Sequence, residues 1–110
     1  MPLRDDSVSL RQMLDHAREA ITLLGSATPA DLELNRVLAL ALVQLAQIVG
    51  EAASRVSEPK RAQHPQIPWR QVVALRNRLI HGYDTIDLEI LWQIVKNDMP
   101  SLVAQLRTDR

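Results

Sequence analysis

The sequence predicts an all-α protein: an up-and-down antiparallel bundle of four main helices, one domain over residues 1–110. Three observations carry this expectation. Apolar residues recur at three- and four-residue spacing in each long segment, and no segment alternates with the period of two that a sheet needs. Aromatic residues are only Trp69, Tyr83 and Trp92, with no Phe, so Leu, Val, Ile and Ala must fill the interior. A chain of 110 residues is long enough for one domain and not for two.

The first helix is expected from about Ser7 to Leu24. Leu10, Met13, Leu14, Ala17, Ile21 and Leu24 form its buried stripe, and Gly25 ends it. His16 lies beside the stripe and reads as an ordinary half-buried histidine. The second helix opens with Thr28 as cap, Pro29 in the first position and Asp31 near the N-terminal dipole. It is expected to run to about Val56. Between Val37 and Val49 its apolar residues wrap around nearly the whole circumference, so it must be covered on more than one side. Either a central position or a subunit interface supplies that cover.

Pro59, Pro65 and Pro68 punctuate a connection from about Ser57 to Ile67, and Pro68 opens the third helix. Val72, Val73, Leu79 and Ile80 read as its apolar stripe, and Gly82 as its stop. Asp87 is the expected cap of a fourth helix, with Ile86 and Leu91 as a hydrophobic staple. Leu88, Leu91, Trp92, Val95, Met99, Leu102, Val103 and Leu106 mark the buried face. Pro100 should kink this helix, because it removes one backbone donor and crowds the preceding turn.

Several classes of function are disfavoured. Without Cys there are neither disulfides nor thiolate metal sites. The His and carboxylate spacings suggest no metal cage, so no cofactor is expected. No secretory signal pattern opens the chain, and the stretch Val37–Val49 is too short for a bilayer of roughly 30 Å. A cytoplasmic protein with no membrane partner is the expectation. The formal net charge is zero, yet Arg55, Lys60, Arg61, Arg70, Arg76 and Arg78 face only Glu58 between Ala52 and Tyr83. That basic segment either forms a solvated face or attracts a phosphate backbone, with Arg70, Arg78, Lys60 and Arg61 as the contacts.

The chemistry concentrates in Arg76-Asn77-Arg78-Leu79-Ile80-His81-Gly82-Tyr83. A guanidinium fits a phosphate, an imidazole moves protons near neutral pH, and a phenol offers a modifiable hydroxyl. Arg76 interrupts the apolar stripe, which costs free energy unless it is ion-paired, with Glu51 or Asp87, or faces a cleft. His81 is expected in the last helical turn, where the dipole favours the imidazolium. On a straight helix Arg76 and His81 point about 140° apart. A common site therefore needs an extended arginine, a helix ending near His81, or a second subunit. RNA carries its own nucleophile in the 2′-OH, so one proton-transfer group and one cation suffice to cleave it without metal. Tyr83 reads equally as an ordinary half-buried aromatic.

The motif and its surroundings resemble the HEPN-domain proteins, in particular the HepT-like toxins. Gln66-Ile67-Pro68-Trp69-Arg70 before the motif is similar to the family's proline–tryptophan lead-in. Ile48-Val49-Gly50-Glu51-Ala52-Ala53 is similar to its Gly-Glu-Ala element. Asp87-Leu88-Glu89, Trp92 and Lys96-Asn97-Asp98-Met99-Pro100 extend the likeness. The resemblance implies a homodimer with a composite cleft holding Arg76 and His81 from both subunits, and Asn77 helping to orient them. It implies the toxin half of a toxin–antitoxin pair, a metal-independent ribonuclease acting on RNA. The implied partner is a minimal nucleotidyltransferase that adenylylates Tyr83. The alternative implied role is a non-catalytic nucleotide- or protein-binding subunit beside the same partner.

Overall fold

The structure, a computed structural model, describes residues 5–81 and 85–107. Helix α1 (Asp6–Leu24) starts at Asp5, whose carboxylate accepts from the Ser7 N–H at 3.0 Å and the Ser7 hydroxyl at 2.6 Å. Those bonds hold the Asp5 carboxyl below its ordinary range, the hydroxyl bond contributing most. The helix stops at Gly25, whose φ of 55° is one that side chains rarely adopt. Met13, Ala17 and Ala20 have no exposure, so the predicted stripe is the buried one.

The expected second helix is two helices. Thr28 and Asp31 form a reciprocal capping box that starts α2 (Pro29–Leu34). The chain then breaks at Asn35, whose side-chain oxygen accepts from the Leu38 N–H at 3.0 Å and starts α3 (Arg36–Ser54). Asparagine offers the backbone a local partner that competes with helix continuation, and that is why one pattern yields two elements. Helix α3 packs mainly along α1, burying Ala39, Leu42, Ala46, Val49 and Ala53. Its opposite side stays open: Val37 is 79% exposed and Leu40 is 45% exposed. The apolar wrap is thus only half used within one chain.

With 19 residues and a mean hydropathy of 1.6 over its most apolar window, α3 is long and apolar enough to cross a membrane on those criteria alone. This differs from the expectation drawn from Val37–Val49, because the helix continues through Gly50–Ser54. Half of that window is buried inside the fold, as in a core helix.

A short helix, α4 (Glu58–Ala62), interrupts the proline-rich connection. The expected third helix is also divided, into α5 (Trp69–Val73) and α6 (Leu75–Leu79), with a turn at Ala74. Gly50 of α3 lies against this turn. A Cβ there would sit 3.0 Å from the Val72 carbonyl oxygen and 3.6 Å from the Leu75 Cβ. A side chain there would press on the Val72 carbonyl, so glycine lets the two backbones approach without a shift.

The chain after α6 is extended, not helical. Strand β1 (Ile80–His81) pairs antiparallel with β2 (Thr85–Ile86), Ile80 opposite Ile86 and His81 opposite Thr85. Gly82, the expected helix stop, and Tyr83 lie outside the described residues. Asp87 then caps α7 (Leu88–Gln93), accepting from the Ile90 N–H at 3.0 Å. A π-helical turn (Ile94–Asp98) joins α7 to α8 (Met99–Leu106), with the Met99 N–H bonded five residues back to Ile94. Pro100 cannot donate to Lys96, and the widened turn ahead of it absorbs that loss. Leu91, Ile94, Val95 and Met99 are each at most 1% exposed and close the core against α1 and α3. Trp92 reaches back to α2's entry, its indole N–H donating to the Ala27 carbonyl at 2.8 Å. The result is an all-α bundle with one two-stranded ribbon among the described residues, placed at the motif.

Candidate active site

The spacing of the buried residues sets which way α6 faces. Val72, Leu75 and Leu79 form the buried face, and Leu79 has no exposure. Val73 and Arg76 are both exposed. Arg76 therefore does not interrupt the buried stripe, as a stripe read through Val73 and Ile80 suggested. It stands on the outward side of that helix.

That side forms one wall of an open groove of about 420 Å³. Arg76, Asn77 and Val73 line one wall, and Gln44, Gln47 and Glu51 of α3 line the other. Neither acid proposed for Arg76 takes it. Glu51 pairs with Arg55 at 3.4 Å, one helical turn along α3. Asp87 pairs with His81, Oδ2 to Nε2, at 3.5 Å. Among the described residues Arg76 has no hydrogen bond or ion pair. A guanidinium free on a polar groove wall is available to an anion.

His81 also differs from expectation. Helix α6 stops at Leu79, so His81 lies in β1 and not in a last helical turn, and the dipole argument does not apply to it. Its imidazole is exposed, with Nε2 facing the Asp87 carboxylate. The other carboxylate oxygen of Asp87 caps α7, so the residue that starts the last helix also faces the histidine. The helix end near His81 meets one of the conditions for a common site. Within one chain no hydrogen bond or ion pair joins Arg76 to His81 among the described residues.

The remaining basic residues separate by what already holds them. Arg78 faces the other side of α6 and pairs with Asp98 of the π-helical turn at 3.5 Å, on the rim of a pocket of about 140 Å³. Arg61 donates to the carbonyls of Val56 and Ala53, each at 3.1 Å, closing the C-terminal end of α3, and pairs with Glu58 at 3.8 Å. Lys60 donates to the Gln63 side chain at 3.1 Å. Arg70 is exposed and makes no hydrogen bond or ion pair among the described residues. His16 donates from Nδ1 to the Gln12 carbonyl at 2.7 Å, the structural role expected of it. No cluster of three His, Asp or Glu side chains among the described residues is placed to hold a metal.

Sequence reading missed Gln44 and Gln47 as groove residues, treating them as breaks in an apolar run. With Glu51 they recur at three- and four-residue spacing, which is the signature of a polar stripe on one helix face.

The fold and this motif define a class: a small all-α bundle of the HEPN type, carrying an arginine and a histidine where its motif helix meets the last helix. Residues 13–108 match the family described as "HepT-like: Ribonuclease HepT-like". The chain belongs to this HepT-like ribonuclease family. It is 33% identical over 106 residues to "Putative RNase MJ1380" of Methanocaldococcus jannaschii, covering 96% of this chain and 97% of that protein. It is 34% identical over 98 residues to "Probable ribonuclease HepT" of Thermococcus cleftensis, covering 86% and 89% respectively. No solved structure matches the chain.

Proposed function

We propose that this chain is a toxin of a toxin–antitoxin pair, a cytoplasmic, metal-independent endoribonuclease whose cleft is shared by two copies. The observation that carries the reading is Arg76, free of partners among the described residues on a polar groove wall, with His81, which faces Asp87, on the strand after its helix. The 2′-oxygen of the substrate attacks the adjacent phosphorus as the bond to the 5′-oxygen breaks. One imidazole accepts the 2′-OH proton and its copy in the second subunit donates a proton to the leaving oxygen. Arg76 stabilises the charge that develops on the phosphoryl oxygens, and Asn77 helps to hold the pair in place. The open side of α3, with Val37 and Leu40 exposed, favours a second copy as the missing cover.

The test uses purified protein with RNA and excess chelator. Cleavage is expected, with Arg76→Ala and His81→Ala each reducing it by about 10²–10³-fold or more. Retained cleavage by both variants overturns the roles, and a monomeric mass in solution at micromolar concentration overturns the shared cleft.

Regulation follows from Tyr83, two residues beyond His81. A partner nucleotidyltransferase transfers adenylate to its hydroxyl, and the bulky, negatively charged group blocks the cleft and repels RNA phosphate. Co-expression with such a partner should add one adenylate mass, lost in Tyr83→Phe. Modification at another residue, or none with an active partner, contradicts this.

A further inference from the structure

The groove at Arg76 does not end at Arg76. Val73 lines it and also lines a second, more open depression formed with Trp69, Arg70, Arg61 and Glu58. The two run together along the outward side of α5 and α6. From Ala52 to His81 only two arginines are without a hydrogen bond or ion pair among the described residues, Arg70 and Arg76, and both lie on this strip. Arg55, Arg61 and Arg78 are each committed elsewhere. The two acids beside the strip, Glu51 and Glu58, are paired with Arg55 and Arg61, so neither is an ionic partner to the free guanidinium groups.

The floor of the second depression is built, not loose. The Trp69 indole N–H donates to the His64 carbonyl at 3.1 Å, which fixes the ring. The Arg61 guanidinium lies 5.6 Å from the ring centroid and is fixed by the carbonyls of Val56 and Ala53. A fixed guanidinium over an indole makes a flat shelf on which an unpaired base can stack. Arg70 stands next to that shelf, six residues before Arg76. At 1.5 Å of rise per residue the two arginines are about 9 Å apart along the helix direction, enough for a neighbouring nucleotide.

We infer that Arg70, with the Trp69–Arg61 shelf, forms a second RNA subsite that grips the nucleotide one position beyond the cleaved step. The inference rests on the ribonuclease reading of the Arg76 groove and adds a substrate class. The substrate is single-stranded RNA that extends at least one nucleotide beyond the cleaved step. A duplex would keep its base stacked and unable to reach the shelf.

The experiment compares a dinucleotide and an octanucleotide that share one cleavable step, with wild type, Arg70→Ala and Arg70→Lys. In wild type the octanucleotide should have the lower KM. Arg70→Ala should raise the octanucleotide KM on the order of tenfold, as expected for one charge-assisted phosphate contact, and leave kcat and the dinucleotide unchanged. Arg70→Lys should recover part of the loss. In parallel, fluorescence anisotropy follows an octanucleotide with a 2′-deoxy sugar at the cleaved step. There Arg70→Ala should weaken binding and lower the log–log salt slope by about 0.7. An unchanged octanucleotide KM in Arg70→Ala overturns the subsite while leaving the ribonuclease reading intact. If wild type cleaves neither RNA, the ribonuclease reading fails, and the anisotropy still decides the subsite: unchanged affinity and salt slope overturn it.

Discussion

Arg76 and Arg78 stand two residues apart on one five-residue helix and are used in opposite ways. Arg78 turns toward the core side, where Asp98 of the π-helical turn receives it beside a small pocket floored by Val72, Leu75 and Leu102. Arg76 turns outward to a groove three times as large, and nothing among the described residues receives it. The same side chain is part of the scaffold on one side and free on the other. A charge left without a partner on a concave polar wall is available to a ligand, whereas a paired one is committed within the fold.

The contrast extends to how each side is made. The closed side is set by apolar periodicity, and the open side by breaks in it. Gly50 allows α3 to approach the turn at Ala74, and Arg76 stands outside the buried stripe of Val72, Leu75 and Leu79. Asn35 ends α2 and caps α3, the helix that carries Gln44 and Gln47 along the groove. The end of α6 at Leu79 removes His81 from the helix and brings it to Asp87.

This explains what was legible in the sequence. The helical class, the α1 stripe, the Thr28 and Asp87 caps and the buried face of the last helix all follow from residue spacing, and they are observed. The motif residues were legible as chemistry. Their surroundings were not, because a continuous helix was assumed from Pro68 to Gly82. The buried stripe is Val72, Leu75 and Leu79, spaced by three and four, and reading Val73 and Ile80 into it without Leu75 is what set Arg76 inside it. The contact of His81 with Asp87 joins residues on the two strands' sides of the ribbon, beyond the reach of periodicity.

Substitutions on the open side should act on chemistry and those on the closed side on stability. The largest effect expected is the loss of cleavage in Arg76→Ala, with thermal stability nearly unchanged because the side chain is exposed and unpaired. The next is Asp87→Asn. Asparagine caps a helix about as well as aspartate, so the start of α7 should hold within a few tenths of a kcal/mol. The carboxylate charge facing His81 is lost. Cleavage should fall on the order of tenfold, a part of what a positioned acid–base group contributes. Measured kcat together with denaturant midpoints separates the two roles. A parallel loss of stability and rate would show that Asp87 acts only as a cap.

The smallest effect belongs to Arg78→Ala. Its partner Asp98 is 54% exposed and its own side chain 34% exposed, so the pair is screened by water and contributes at most about 1 kcal/mol. Part of even that is packing of the arginine stem over the pocket beside Leu75. Stability should drop within this range, more at low salt than at high, and cleavage per folded molecule should stay at the wild-type level. Chemical denaturation at two salt concentrations, with rates normalised to the folded fraction, checks both. A rate loss comparable to that of Arg76→Ala would erase the distinction between the two sides of α6. It would mean that Arg78 leaves Asp98 when RNA binds, and that the ion pair and the ligand site share one surface.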